Sequence, residues 1–208
     1  MTGPEVAMQS EANVLERTVD IIVLPEDREM AGFAERLPGE LLRDAVPWIE
    51  KVPEEMVISR MRHHWSAGRW TCGVVMGARL EEERLRGNTN NIVKIGDLNL
   101  YDRSSIFGRP ELCVLSRWGM IWSNLPGDLS VAYVCSYERL AREYITGLVR
   151  GGFGVEEVPV EGCLGDHIDL GSFDLAIGIL CKGAVLERTG MFPLDRIWDE
   201  GPVLIRTV

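Results

Sequence analysis

Phe173-Asp174-Leu175-Ala176-Ile177-Gly178-Ile179-Leu180 runs directly into Cys181-Lys182-Gly183-Ala184-Val185-Leu186-Glu187-Arg188-Thr189-Gly190-Met191. The stretch reads as a buried strand over 173–180, a tight loop and a helix over 184–190. A strand-to-helix turn gathers main-chain N–H groups and the positive end of a helix dipole at one spot, where many α/β proteins hold an anionic group. Lys182 lies inside this turn. Either its ammonium and the loop N–H groups around Gly183 and Ala184 converge on a carboxylate or a single phosphate, or Lys182 faces solvent with no ligand role.

Outward from this stretch the same alternation continues. A strand over 130–135, a helix over 137–149 ended by Gly151-Gly152, a strand over 155–160 and a final strand over 202–206 surround it. Strands alternating with helices imply a mainly parallel sheet. Towards the N-terminus, residues 18–24 read as a buried strand, followed by a helical pattern over 29–45 that Pro38-Gly39 interrupts. Val74-Val75-Met76 and Leu112–Leu115 are further strands, whereas 84–105 is rich in Asn, Gly and Asp and carries no clear period. The expected organisation is a flexible N-terminus over 1–17, a first α/β lobe over 18–115 with 202–208, and a second over 116–201.

The order and spacing of these segments resemble the ATP phosphoribosyltransferases, the first enzymes of histidine synthesis. Glu157-Val158-Pro159-Val160-Glu161-Gly162 precedes Asp174 at the distance separating that family's "IVPLHG" and "ADAIVD" strands. Tyr137-Glu138-Arg139-Leu140-Ala141-Arg142-Glu143-Tyr144 is similar to its "YPNLARRYF" helix start. Ile106-Phe107-Gly108-Arg109 with Leu112–Leu115 resembles "GFGRCRLVVA", Val74-Val75-Met76-Gly77 resembles "GITG", and Ile22-Val23-Leu24-Pro25 resembles "ALPKGR". The likeness covers residues 18–208 and is strongest after 130.

This resemblance implies a two-lobed periplasmic-binding-protein-like α/β fold of type II, with mainly parallel sheets and an interlobe cleft that holds the ligand. Leu112–Arg117 and the last strand would cross between the lobes. Arg28, Arg142, Asp174 and Gly183 match family positions and are the implied ligand contacts, with Lys182 and Ala184 in the loop. The family's short form also implies a homodimer and a histidyl-tRNA-synthetase-like regulatory subunit. Magnesium is implied only if phosphoribosyl transfer is retained.

The donor chemistry departs from the pattern. The loop's acidic residue falls on Gly178, its T-G-x-T falls on Lys182-Gly183-Ala184-Val185, and the carboxylate after "HG" falls on Gly165. Lys-Gly-Arg at the start becomes Glu26-Asp27-Arg28, and the Asp after "GITG" becomes Arg79. A site for the polyanion phosphoribosyl diphosphate needs positive charge and donors. The expectation is therefore a diverged protein that binds a small anionic metabolite with an altered substrate or reaction. The alternatives are a working ATP phosphoribosyltransferase and a non-catalytic ligand-binding or regulatory homologue.

Composition sets outer bounds. The 208 residues are 46% hydrophobic and carry a net charge of −10, which disfavours a nucleic-acid partner. No apolar run is long enough for a membrane span, and no leader is recognisable. Five separate cysteines without CxxC spacing fit reduced thiols in the cytoplasm. Residues 58–70 hold three Arg, two His and two Trp. They read either as an amphipathic helix end packed on the body or as a lid over an anionic ligand. Asp166-His167 is readable as a carboxylate-oriented general base or as a polar loop pair. Glu81-Glu82-Glu83 reads as a solvated helix face.

Overall fold

The computed structural model describes residues 19–26, 47–98, 106–107, 109–117, 119–162, 164, 167, 172–180, 186, 189–199 and 201–208. The expected flexible segment 1–17, the helical pattern over 29–45 and most of the helix over 184–190 lie outside the described residues. In chain order the strands are β1 (Ile21–Pro25), β2 (Trp48–Val52), β3 (Thr71–Met76), β4 (Ile92–Asp97), β5 (Glu111–Arg117), β6 (Asp128–Val134), β7 (Gly154–Val160), β8 (Leu175–Leu180), β9 (Met191–Trp198) and β10 (Pro202–Thr207). The helices are α1 (Val57–Ser66), α2 (Gly77–Leu85) and α3 (Glu138–Arg150).

The chain divides into two compact units. One holds residues up to Val75 with Asn90–Asp97 and Val203–Val208; the other holds Met76–Thr89 and Leu98–Pro202. Residues 76–89 and 98–115, assigned from sequence to the first lobe, thus cluster with the second. Strand β5 does not cross between units, because it pairs on both sides within the second sheet.

The first unit's sheet has the order β2-β1-β3-β10-β4, with β1 parallel to β2 and β3, and β10 antiparallel to β4. The second has the order β7-β6-β8-β5-β9, with β6 parallel to β7 and β8, and β5 antiparallel to β8 and β9. Both sheets are mixed rather than mainly parallel. Every residue of β1, β3 and β8 is buried, as near-continuous apolar runs require at the middle of a covered sheet. Of the four edge strands the sequence pattern shows β7 and misses β2, β4 and β9, in which Glu50-Lys51, Lys94 and Asp195-Arg196 break the apolar run. Pro193 in β9 is compatible with that edge position, where a missing N–H costs no interior ladder bond.

Helix α3 buries Leu140, Ala141, Ile145 and Leu148 on one face. It stops where Gly152 adopts φ +98°, a conformation that disfavours any side chain, while Phe153 N–H returns to the Leu148 carbonyl at 3.2 Å. In the first unit, α1 packs Val57, Ile58 and Met61 against the sheet and contacts β1, the placement of a core helix rather than a lid. Gly73 of β3 lies beneath it, and a Cβ there would collide with Met61 Sδ. Buried Cys72 and Cys113 are free; burial pushes their thiols up to about 11 and about 12, leaving them unreactive at neutral pH.

Glu50 ties β2 to α1. Arg60 Nε donates to one carboxylate oxygen at 2.6 Å and His64 Nε2 bonds the other at 2.5 Å, with His64 only 8% exposed. Burial works to raise the Glu50 pKa, but the bonds to His64 and then Arg60 outweigh it and hold the carboxyl below its ordinary value. A depressed folded pKa stabilises the protein above the unfolded value and loses that contribution as pH falls through the folded one. Wild type is therefore expected to exceed Glu50→Gln in thermal stability near neutrality, with the gap closing below about pH 4. Melting both proteins across pH 3–7 checks this; a gap independent of pH would refute the assigned role.

Candidate functional site

In mixed α/β sheets, ligands gather beyond the carboxyl ends of the parallel strands. In the second unit that end is formed by β7, β6 and β8. Strand β6 passes through a 3-10 turn, Cys135–Tyr137, into α3. Helix α3 begins without a local side-chain cap, since its N-cap residue is Tyr137. Its first N–H groups still need acceptors.

Glu82 of α2 supplies them. Its carboxylate accepts from Arg139 N–H at 3.0 and 3.1 Å and from Leu140 N–H at 3.0 Å, and it is fully buried. Arg86 Nε donates to the same carboxylate at 2.9 Å and Arg86 Nη2 reaches the Cys135 carbonyl at 3.3 Å. Arg79 donates to the Ser136 carbonyl and to Glu83, both at 2.6 Å, and Asn88 caps the other Glu83 oxygen at 2.7 Å. The expected solvated face of Glu81-Glu82-Glu83 is therefore corrected: Glu82 and Glu83 are 0% and 6% exposed. The i,i+4 pairs Arg79–Glu83 and Arg86–Glu82 neutralise charges that would otherwise be costly to bury. The sequence signal for this cluster is the missing cap at Tyr137, which leaves donors that a distant carboxylate has to satisfy.

Of the expected site residues, Arg28, Asp166, Lys182, Gly183 and Ala184 lie outside the described residues. The other three do not come together. Asp174 immediately precedes β8, at the end of that strand opposite Leu180. Its carboxylate accepts from Ser130 N–H and Oγ–H, both at 2.8 Å, and lies 3.6 Å from Arg117. These bonds clamp the starts of β6 and β8, which is a framework role. Arg142 pairs with Glu138 at 2.8 Å and Glu157 at 3.1 Å, beside a shallow depression of about 430 Å³ lined also by Leu85, Arg139, Glu143 and Thr146. His167 Nε2 bonds the Glu161 carbonyl at 2.6 Å. Nearby, burial and then the Glu161 carboxylate raise the Cys135 thiol, so it is no activated nucleophile. Among the described residues no three His, Cys, Asp or Glu side chains gather as a metal site would require, and no helix is long and apolar enough to cross a membrane.

Gly178, where the resembling family carries an acidic residue, sits in the middle of β8. A Cβ there would lie 2.5 Å from Leu164 Cγ, 2.7 Å from Leu164 Cδ1 and 3.0 Å from Val134 Cγ2. Leu164 is itself buried, so an apolar side chain fills the space that the acid would need.

No family model matches the sequence, and no curated protein is significantly similar to it. Solved structures do align with the fold. The ATP phosphoribosyl transferase (HisG:HisZ) complex from Thermotoga maritima gives a TM-score of 0.58 at 14% identity, over 91% of this chain and 88% of that one. The periplasmic aliphatic sulphonate binding protein SsuA from Escherichia coli gives 0.55 at 11% identity, over 92% of this chain but 62% of that one. YhfZ from Shigella flexneri gives 0.51 at 16% identity, over 96% and 83%.

The protein has a two-lobed α/β fold of the periplasmic-binding-protein-like type. Likeness at such identities establishes the fold and not the activity. Two substitutions probe the framework. Asp174→Ala is expected to lower unfolding free energy by about 2 kcal/mol through loss of charged hydrogen bonds. Gly178→Asp is expected to cost more than about 3 kcal/mol, since it both overpacks Leu164 and buries an unpaired carboxylate. Urea denaturation measures both; a Gly178→Asp protein as stable as wild type would show that Leu164 yields freely.

Proposed function

We propose that this protein binds a small metabolite of low negative charge, as a diverged relative of the ATP phosphoribosyltransferases with an altered substrate or reaction. The observation that carries this reading is Leu164 packed against Gly178, an apolar contact at the position of the family's acidic residue. The sequence supports it independently, because Lys182-Gly183-Ala184-Val185 offers no hydroxyl to a 5′-phosphate and Gly165 offers no carboxylate. Glu26 and Asp27 add negative charge where the family carries a cation. A polyphosphate donor is poorly matched to such a set, whereas one carboxylate, sulfonate or single phosphate is matched by one lysine and main-chain donors. The free thiols of Cys72, Cys113 and Cys135 support a reducing, cytoplasmic setting.

Each charged hydrogen bond lost from a catalytic site costs about 2–4 kcal/mol, though such losses do not simply add. Purified protein with magnesium, ATP and phosphoribosyl diphosphate is therefore expected to give no phosphoribosyl-ATP above background. Turnover on the order of 1 per second would overturn the reading. In a thermal-shift series, singly charged carboxylates, sulfonates and monophosphates are expected to stabilise the protein more than phosphoribosyl diphosphate does. For the ligand so found, Lys182→Ala should weaken binding roughly tenfold. Unchanged affinity on titration would remove Lys182 from the site.

A further inference from the structure

Strand β2 leaves one side of its main chain unpaired. Among the described residues it pairs with β1 alone; Trp48 N–H donates to the Asp20 carbonyl at 3.1 Å, and Glu26 N–H donates to the Val52 carbonyl at 2.8 Å. Because main-chain groups alternate in direction along a strand, Trp48, Glu50 and Val52 bond towards β1, and the N–H and C=O groups of Ile49 and Lys51 point outward. The other edge strands are blunted: β9 by Pro193 and two register shifts, β7 by Pro159, and β4 by a register shift against β10. Strand β2 has no proline and an unbroken register. Apolar surface stands beside its open edge. Trp48 is 58% exposed and meets the His64 ring edge-on at 6.0 Å, and Met56 at the start of α1 is 48% exposed. Met56, Arg60 and His64 are spaced four apart and share one stripe of α1, which the bonds from Arg60 and His64 to Glu50 turn towards β2.

We propose that the open edge of β2 is a docking site for an extended, acidic segment of a partner protein, which joins the five-stranded sheet as a further strand beside α1. Only a peptide carries N–H and C=O groups that match those of Ile49 and Lys51, so main-chain pairing selects this class over a nucleic acid or a small anion. Charge selects among peptides. Residues 56–70 contain Arg60, Arg62 and Arg69 and no acidic residue, in a chain of net charge −10, and Lys51 adds an exposed cation on the edge itself. A second copy of β2 fits poorly, because antiparallel pairing of the two strands about their centres sets Glu50 against Glu50 and brings the arginines of both α1 helices together. Acids in the incoming strand meet Lys51 and the half-exposed Arg60, while its apolar residues cover Trp48 and Met56. Such docking is independent of which metabolite the protein takes.

A displayed library of random peptides, panned against the full chain, tests this. Recovered peptides are expected to alternate acidic with apolar residues, and the most enriched one, made synthetically, is the probe thereafter. Its binding is expected to slow amide exchange at Ile49 and Lys51 roughly tenfold or more, with little change at Trp48 and Glu50, whose amides already face β1. Ile49→Pro removes an outward donor at an edge position that tolerates proline, so it should keep the wild-type melting temperature and weaken the probe roughly tenfold. Lys51→Glu should also weaken the probe, and a probe with its acids changed to lysine should bind this variant better than it binds wild type. If Ile49→Pro does not fold, the exchange measurement on wild type decides by itself. The proposal fails if no peptide is enriched, if basic peptides bind wild type equally well, or if the probe binds without protecting Ile49 and Lys51. It fails too if the free chain self-associates and Ile49→Pro abolishes that, which makes the occupant a second copy, or if a single-stranded oligonucleotide binds this face more tightly than the probe.

Discussion

A carboxylate taken out of water costs several kcal/mol unless charge and hydrogen bonds replace its hydration. Glu82 meets that condition by serving as the cap that α3 lacks in its own sequence. The exchange is reciprocal. The N–H groups of Arg139 and Leu140 would otherwise be unsatisfied next to the core, and the Glu82 charge would otherwise have no buried partner of sufficient strength. Arg86 completes the neutralisation from one helical turn away. Because Arg86 also holds the carbonyl of Cys135, and Arg79 that of Ser136, the position of α2 and the exit of β6 are set together.

Asp174 does comparable work at the other end of the sheet. It joins the first residues of β8 to Ser130 of β6 and draws in Arg117 from β5. Asp174 therefore anchors β6 near its start, and Glu82 caps the helix that follows β6 beyond the Cys135–Tyr137 turn. One of these carboxylates coincides with a residue of the resembling family and the other was read as solvated. Their roles follow from where the chain brings them, not from the motif in which each stands.

The likeness to ATP phosphoribosyltransferases rests on spacing, and spacing is what a backbone scaffold preserves. Buried strands of the right length at the right intervals give a similar fold with few side chains in common. Chemistry is less tolerant. At Gly178 the absence of a side chain and the presence of Leu164 belong together, because either one alone would leave a clash or a void. A carboxylate at that position would displace the packing around it.

Apolar runs at Ile21–Leu24, Val74–Met76, Leu112–Leu115, Val131–Val134 and Leu175–Leu180 made the central strands legible from sequence alone. The reason is that strands covered on both faces must be apolar at nearly every position. Helix α3 and its glycine stop were legible for a similar reason, since its buried face repeats with the helical period. Of the four edge strands β7 was legible, following the glycine stop of α3, whereas β2, β4 and β9 were not, because charged residues such as Glu50-Lys51, Lys94 and Asp195-Arg196 break their apolar runs. The second unit's claim on α2, the antiparallel placement of β5, and the separation of Arg142 from Asp174 were decided only by tertiary structure. So was the burial of Glu82: whether a glutamate faces water or an uncapped helix depends on a helix more than fifty residues away, and no local pattern encodes that distance.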